Sequence, residues 1–252
     1  MNGALQLDLK DVSVRFNGFL AVDSLNLSVN PGELRCLIGP NGAGKTTTLD
    51  IICGKTKPSN GEIRLGDNVL NNLEEHNIAR IGIGRKFQVP SVFRQLTVRE
   101  NLLVGLSKVT GVVRNAFRFR RAADNEGVEK LAELVGLRDH LDQPADRLSH
   151  GQTQWLEIAL LLAQDPKLIL MDEPTAGMTT QETRKTAELF NRLKGNRTLI
   201  VVEHDMAFVK EIAEVISVMH QGKLLAQGTV AEMERDPAVM EAYLGSKGIG
   251  HA

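Results

Sequence analysis

Apolar and polar residues alternate over Leu5–Leu9, Val12–Phe16 and Leu25–Val29. A period of two predicts half-buried antiparallel strands in the N-terminal part of the chain. Asn17-Gly18 and Asn30-Pro31-Gly32 supply turns between and after them. The pattern then changes. Leu34–Ile38, Leu168–Met171 and Thr198–Val202 are nearly continuous apolar runs. Such runs predict central parallel strands buried on both faces. Two hairpins are expected, one over Gly61–Leu70 about Gly66-Asp67 and one over Val215–Ala226 about Gln221-Gly222.

Helical patterns separate these runs. Helices are predicted over Thr47–Cys53 with Gly54 as the stop, over Asn71–Arg80, and from Thr97 to Val104. Further helices are predicted over Asn125–Val135, over Thr153–Ala163 and from the Thr179-Thr180-Gln181-Glu182 start to Gly195-Asn196. A last one runs from Asp236-Pro237 to Gly245. Thr97 with Glu100 and Thr179 with Glu182 have the capping-box spacing, and Ser149 is a suitable N-cap. The helix after Ser149 is apolar nearly all round, which predicts burial. The order of elements predicts a single α/β domain over residues 1–252: a core with a β subdomain from 1–89 and 165–252, and an inserted helical lobe over 90–164.

Composition narrows the picture little. The 252 residues are 42% hydrophobic and carry a formal net charge of −1, so a sizeable core is expected and no global attraction to nucleic acid or anionic lipid. Arg114–Arg121 interleaves basic residues with Phe117 and Phe119; an amphipathic helix with a solvated basic face is the favoured reading. Cys36 and Cys53 fall in predicted core elements with no metal-ligand spacing, consistent with a reduced compartment. No apolar run reaches the ~20 residues that span a bilayer, and no signal-peptide pattern opens the chain. A soluble protein that reaches membranes only through partners is expected.

The chemistry starts at Gly39-Pro40-Asn41-Gly42-Ala43-Gly44-Lys45-Thr46, which satisfies G-x-x-x-x-G-K-[ST] at every fixed position. A strand precedes it and a helix opening at Thr47 follows. The backbone N–H groups and the helix N-terminus then converge on one concavity suited to phosphates. Lys45 is a mobile cation for the outer phosphates, and the Thr46 hydroxyl is placed to ligate Mg²⁺. Asp172 and Glu173 end the second buried run. In open α/β sheets ligands sit beyond the carboxyl ends of the strands, so both carboxylates meet the phosphate loop at one rim. Asp172 is expected to hold Mg²⁺ through its water shell, and Glu173 to orient or deprotonate the attacking water. His204 ends the third run and is a candidate γ-phosphate contact by the same argument. Three features stay open on residues alone. Phe16 reads equally as a base-stacking platform or as strand-end packing. Gln88 is a lone loop glutamine. Ser149-His150-Gly151-Gln152 fits ordinary capping better than a second anion site.

Taken together, these residues resemble the ATP-binding subunit of an ABC transporter. The resemblance covers the chain through an ordered set: Gly39–Thr46 as Walker A, Gln88 as the Q-loop, Leu148–Gln152 as the signature, Leu168–Asp172 as Walker B followed by Glu173, and His204 as the switch histidine. It implies that Phe16 lies against adenine and that Gln88 senses Mg²⁺ and the γ-phosphate. It implies a head-to-tail pair, in which Ser149, His150, Gly151 and Gln152 of one subunit close over the ATP held by Gly39–Thr47 of the other. Two permease subunits, a second ATP-binding subunit and, indirectly, a periplasmic binding protein are the implied partners, at the cytoplasmic face of the inner membrane.

Gly82–Gln88, Asp172–Met178, Val202–Met206 and Ala242–Gly245 look like the branched-chain amino acid and urea uptake branch. Glu33-Leu34-Arg35, Gly54-Lys55-Thr56 and Leu148–Gln152 with Trp155–Ile158 are most similar to the urea transporter subunit. Urea is therefore the expected solute, with branched-chain amino acids or other amides as the alternative. Soluble ABC ATPases of DNA repair or the ribosome fit poorly, because this chain has one phosphate loop and no long insertion between Thr46 and Ser149. Two positions depart from the family: His150 replaces the usual Gly, and Thr179 stands where many members have Asp. A side chain at 150 lies close to the trans nucleotide, where it adds a donor or shrinks the clamp.

Overall fold

The computed structural model describes residues 5–86, 92–107 and 122–247. Gln88 and the basic stretch Arg114–Arg121 lie outside them. The described chain divides into two units by packing. Among the described residues the first comprises 5–85, 167–174 and 190–247, the second 86, 92–107, 122–166 and 175–189.

The first unit is built on two sheets. β1 (Leu7–Phe16), β2 (Phe19–Val29), β4 (Asn60–Leu65) and β5 (Asn68–Val69) form an antiparallel sheet in the order β2-β1-β4-β5. The runs Leu5–Leu9 and Val12–Phe16, expected as separate strands, are one strand. The polar Lys10-Asp11 step that splits the pattern is an irregularity in the pairing, with Asp11 at φ 50°. The second sheet runs β10-β9-β3-β8-β7-β6. Here β3 is Leu34–Ile38, β6 Ile83–Arg85, β7 Leu168–Asp172, β8 Thr198–Val202, β9 Val215–His220 and β10 Lys223–Gly228. Strands β9, β3, β8, β7 and β6 are parallel, and β10 pairs antiparallel with β9. Every residue of β3, β7 and β8 is buried, as continuous apolar runs require.

Helix α1 (Lys45–Ile52) follows β3 and buries Leu49, Ile51 and Ile52 in the core shared by the two sheets. Helix α2 (Glu75–Ile81) is shorter than the Asn71–Arg80 pattern predicted, because Asn71 is used elsewhere: its side chain bridges the Ile63 N–H and the Gly61 carbonyl. One element pair was not anticipated. Met206–Ile212 forms a helix capped by the Asp205 carboxylate, and Val230–Met233 one turn capped by Thr229 and Glu232.

The second unit, among the described residues, is helical. It contains α3 (Val98–Leu106), α4 (Ala122–Leu134), α5 (His150–Ala163) and most of α6 (Thr180–Leu193). The Thr97–Glu100 box that opens α3 is formed from both sides. Residues 175–189 belong here because α5 holds them: the Trp155 indole N–H donates to Thr186 Oγ1 (3.0 Å), and the Lys185 ammonium lies over the Trp155 ring. Among the described residues no helix is long and apolar enough to cross a membrane.

Candidate functional site

The phosphate loop joins β3 to α1 with Gly39, Gly42 and Gly44 all at positive φ. Two of these glycines are required by close approach. A Cβ on Gly39 would collide with the Met219 carbonyl, and one on Gly44 would lie 2.6 Å from the Ala21 carbonyl. The loop is thereby clamped from behind by β9 and β2. Gly222 N–H donates to the Ala43 carbonyl (3.0 Å), and Thr48 Oγ1 donates to the Gly44 carbonyl (2.9 Å). The front remains open: a Cβ on Gly42 would meet nothing, Asn41 and Thr46 are exposed, and Thr47 is half-buried. The first helical bond of α1 runs from Thr48 N–H to Gly44 C=O (2.9 Å). The N–H groups of Lys45, Thr46 and Thr47 thus precede the helical ladder and can serve an anion.

Lys45 folds back over its own loop. Its ammonium donates to the Gly39 and Pro40 carbonyls at 2.7 and 2.9 Å. Burial pushes its pKa down, while the nearby carboxylates of Glu173 and Asp172 pull it up. One cation thus sits within the field of both acids at the end of β7, where the rim argument places them.

Asp172 is buried at the C-terminal end of β7. Its Oδ2 lies 3.9 Å from Arg85 Nη2 and has no hydrogen-bond partner among the described residues. Arg85 itself ends β6, is ion-paired with Asp50 of α1 and touches Cys53 Sγ at 3.2 Å. Sequence reasoning did not find Arg85; an arginine closing a buried strand was the available signal. A buried carboxylate oxygen without a donor costs free energy unless something satisfies it. With the exposed Thr46 hydroxyl in the same unit, the residues fit a hard divalent cation such as Mg²⁺, which keeps most of its water and takes few protein ligands. Among the described residues no cluster of three or more His, Cys, Asp or Glu side chains competes for that role.

Glu173 leaves the strand at φ 48°, a left-handed conformation that a glutamate adopts only under constraint. Its N–H donates to the Val202 carbonyl (2.9 Å), which pins the backbone and turns the side chain out, 49% exposed. His204 Nδ1 lies 3.6 Å from Glu173 Oε1, and the ring is 71% exposed. Beneath it the buried Glu203 carboxylate accepts the His204 N–H at 3.0 Å. The same carboxylate adds to burial in pushing the Cys36 thiol far up, so Cys36 stays a neutral core residue. Asp172, Glu173 and His204 therefore converge on one rim, as expected.

Phe16 and Phe19 are paired across the Asn17-Gly18 turn, 46% and 66% exposed. Both turn residues are left-handed, at φ 45° and 91°, the type that closes a two-residue hairpin. Phe19 was not singled out from the sequence. The hairpin leads into Ala21, whose carbonyl abuts Gly44, so the strand that carries Phe19 continues behind the phosphate loop.

In the second unit Ser149 caps α5. Gln152 N–H donates to Ser149 Oγ (3.2 Å), and Ser149 N–H donates to Gln152 Oε1 (2.9 Å). The Ser149 hydroxyl donates to Glu182 Oε1 at 3.0 Å. Glu182 lies so close over Gly151 that a Cβ there would collide with its carboxylate. The Thr179 N–H bond, followed by those of the Thr179 and Ser149 hydroxyls and the nearby His150, holds Glu182 below the usual carboxylate range. The His150 ring is turned onto the loop before α6, with Nε2 3.0 Å from the Ala176 carbonyl.

Three comparisons bear on this site. The family model described as ABC transporter matches residues 22–176, and that described as branched-chain amino acid ATP-binding cassette transporter matches residues 223–248. The high-affinity branched-chain amino acid transport ATP-binding protein LivG of Escherichia coli (strain K12) is 40% identical, covering 95% of this chain and 97% of that protein. BraF of Pseudomonas aeruginosa, with the same description, is 37% identical over 95% of this chain and 97% of its own. Among solved structures, the ADP conformation of MJ1267, an ATP-binding cassette of an ABC transporter, superposes with TM-score 0.81 at 31% identity, covering 96% of this chain and 99% of that one. The dimeric post-hydrolysis state of the cassette MJ0796 bound to ADP and Pi gives TM-score 0.73 at 26% identity over 89% and 98%.

Proposed function

Because the chain belongs to the ABC transporter ATP-binding family, in its branched-chain amino acid branch, and is an ATPase, we propose that it powers solute uptake as one half of a head-to-tail ATPase pair. The observation that carries this reading is the convergence of Lys45, Asp172, Glu173 and His204 at the C-terminal rim of the parallel strands of one sheet. Gly39–Thr47 and Lys45 bind the phosphates, and Phe16 takes the adenine face. Thr46 and Asp172 would hold Mg²⁺, which when bound would supply neutralisation of phosphate charge. Glu173 orients and deprotonates water, and His204 contacts the γ-phosphate. Gln88 belongs to the same reading as the Mg²⁺ and γ-phosphate sensor.

The second half of each site comes from Ser149, His150, Gly151 and Gln152 of the other subunit. The start of α5 offers N–H groups to a phosphate. Glu182 already places a carboxylate there, which sets the site's resting charge. The partner subunit is a second copy or a paralogue. Two permeases anchor the pair at the cytoplasmic face of the inner membrane, and a periplasmic binding protein delivers the solute to them.

Branched-chain amino acids are the solute class best supported, through the C-terminal family match and LivG. Urea is a second reading, carried by the Glu33–Arg35 and Leu148–Gln152 sequences. Uptake of labelled leucine and labelled urea by cells expressing the cognate permeases with this chain separates them. Leucine uptake that disappears with Lys45→Ala supports the first reading. Urea uptake with the same dependence establishes the second, and uptake of neither overturns both.

Asp172→Asn tests the metal site. The Mg²⁺ concentration for half-maximal turnover is expected to rise about 10–100-fold, the scale for a residue acting through metal-bound water. A titration of ATPase rate with Mg²⁺ at saturating ATP checks this, and an unchanged midpoint removes Asp172 from the site.

A further inference from the structure

His150 stands where most of the family has Gly, and the proposed function gives its ring no specific work. Its surroundings do. Gln154 lies one turn further along the same face of α5, buried, and its amide Nε2 donates to the Ala176 carbonyl at 2.9 Å. The His150 Nε2 is 3.0 Å from the same carbonyl. The other end of Gln154 is fixed by Lys86, whose ammonium donates to Oε1 at 3.0 Å. An ammonium has no acceptor, so this contact sets the Gln154 amide with nitrogen toward Ala176. The His150 Nε2 also lies 2.8 Å from the Gln154 Nε2, a hydrogen-bond separation, so the Gln154 amide, which carries two hydrogens, joins the Ala176 carbonyl and the imidazole in one closed group.

The ring also packs on Gly177. A Cβ there would lie 3.1 Å from His150 Nε2, and Gly177 is at φ 74°. Met178 N–H closes a turn on the Thr175 carbonyl at 3.0 Å. The segment Thr175–Met178, which follows Glu173-Pro174 in the chain, is thus held at Ala176 and Gly177 by the first and fifth residues of α5.

We propose that His150 is a positioning residue: with Gln154 it latches the Thr175–Met178 loop of its own chain to the start of α5, so that one shared carbonyl sets both Ser149-Gly151 and the chain leaving Glu173. The role rests on the reading of Ser149 and Gly151 as a phosphate clamp, but the contact itself does not. A free imidazole reaching the partner's nucleotide is the competing arrangement, and the two are exclusive for one ring nitrogen.

The test uses the full chain. His150→Ala and Gln154→Ala are each expected to raise amide hydrogen exchange at residues 176–178 about tenfold and to leave exchange in the phosphate loop unchanged. Turnover is expected to fall several-fold, with ADP affinity of the isolated chain unaltered. Because the two side chains are hydrogen-bonded to each other and act on one carbonyl as a unit, the double variant should be less impaired than the product of the two single effects. His150→Gln, which keeps a hydrogen-bonding group able to donate or accept, should recover most of the turnover, and it also serves as the readable variant if His150→Ala fails to fold. Unchanged exchange at 176–178 in both variants overturns the latch. Increased exchange with normal turnover overturns its positioning role. Raised exchange and lowered turnover in a chain that never pairs with ATP would support the latch while refuting the clamp reading on which its role rests.

Discussion

Glu173→Gln is expected to lower ATP turnover by about 10²–10⁴-fold, the range for loss of a general base, while nucleotide binding persists. The substitution keeps the volume and one acceptor of the side chain and removes its basicity. The backbone is expected to stay in place, because the strained φ of 48° is held by the Glu173 N–H to Val202 bond, which the side chain does not enter. His204 sits 3.6 Å away on the exposed rim and keeps its own anchor to Glu203. Binding and chemistry should therefore separate. In the proposed head-to-tail pair the variant accumulates as an ATP-bound dimer, since assembly needs the γ-phosphate and dissociation needs its loss. Size-exclusion chromatography in Mg-ATP, alongside a single-turnover hydrolysis assay, reads both effects. Near-normal turnover would remove Glu173 from the role of base. Slow turnover in a species that stays monomeric would keep the base and remove the clamp.

The parts of this site that were legible in the sequence are those whose geometry is local. A glycine-rich turn between a buried strand and a helix dictates its own shape, so Gly39–Thr47 could be read directly. Continuous apolar runs ending in Asp172-Glu173 and His204 announced buried parallel strands, and the rim followed from the sheet. What was not legible depends on partners distant in the chain. Arg85 matters because β6 lies beside β7, which brings it to Asp172 and Asp50. Glu182 read as a helix cap, which it is; its second role over Gly151 exists only because α5 and α6 start side by side. Phe19 acquires meaning only from its pairing with Phe16 across the turn. His150 illustrates the same limit. The family resemblance pointed its ring toward a partner's nucleotide, whereas the loop at Ala176 had no sequence signal for capturing it. The short helix over Met206–Ile212 was hidden because seven residues carry too little periodicity to stand out, although Asp205 is a good cap.

Lys45→Ala is expected to abolish the stabilisation that Mg-ATP or Mg-ADP confers on the folded chain. For the unsubstituted protein that stabilisation reaches about 2.7 kcal/mol at a hundredfold excess over Kd, because a ligand that binds only the native state shifts the equilibrium by mass action. Without nucleotide the ammonium is satisfied by the Gly39 and Pro40 carbonyls at 2.7 and 2.9 Å. Phosphate binding therefore exchanges two neutral acceptors for anionic ones, to which the ammonium is drawn by full opposite charge rather than by a carbonyl dipole alone. Alanine loses that gain and leaves the two carbonyls without their donor. It also leaves Asp172 and Glu173 without the cation whose field they share, so a polyanionic ligand meets two carboxylates unscreened. The ligand-free protein should melt close to the parent, because burial already disfavours the charged form of Lys45 and its removal relieves that cost. Thermal unfolding with and without Mg-ADP distinguishes the two quantities. A ligand-induced shift equal to the parent's would refute the phosphate contact. A large drop in the ligand-free melting temperature would instead make Lys45 a structural brace of its loop, with its effect on nucleotide secondary to that.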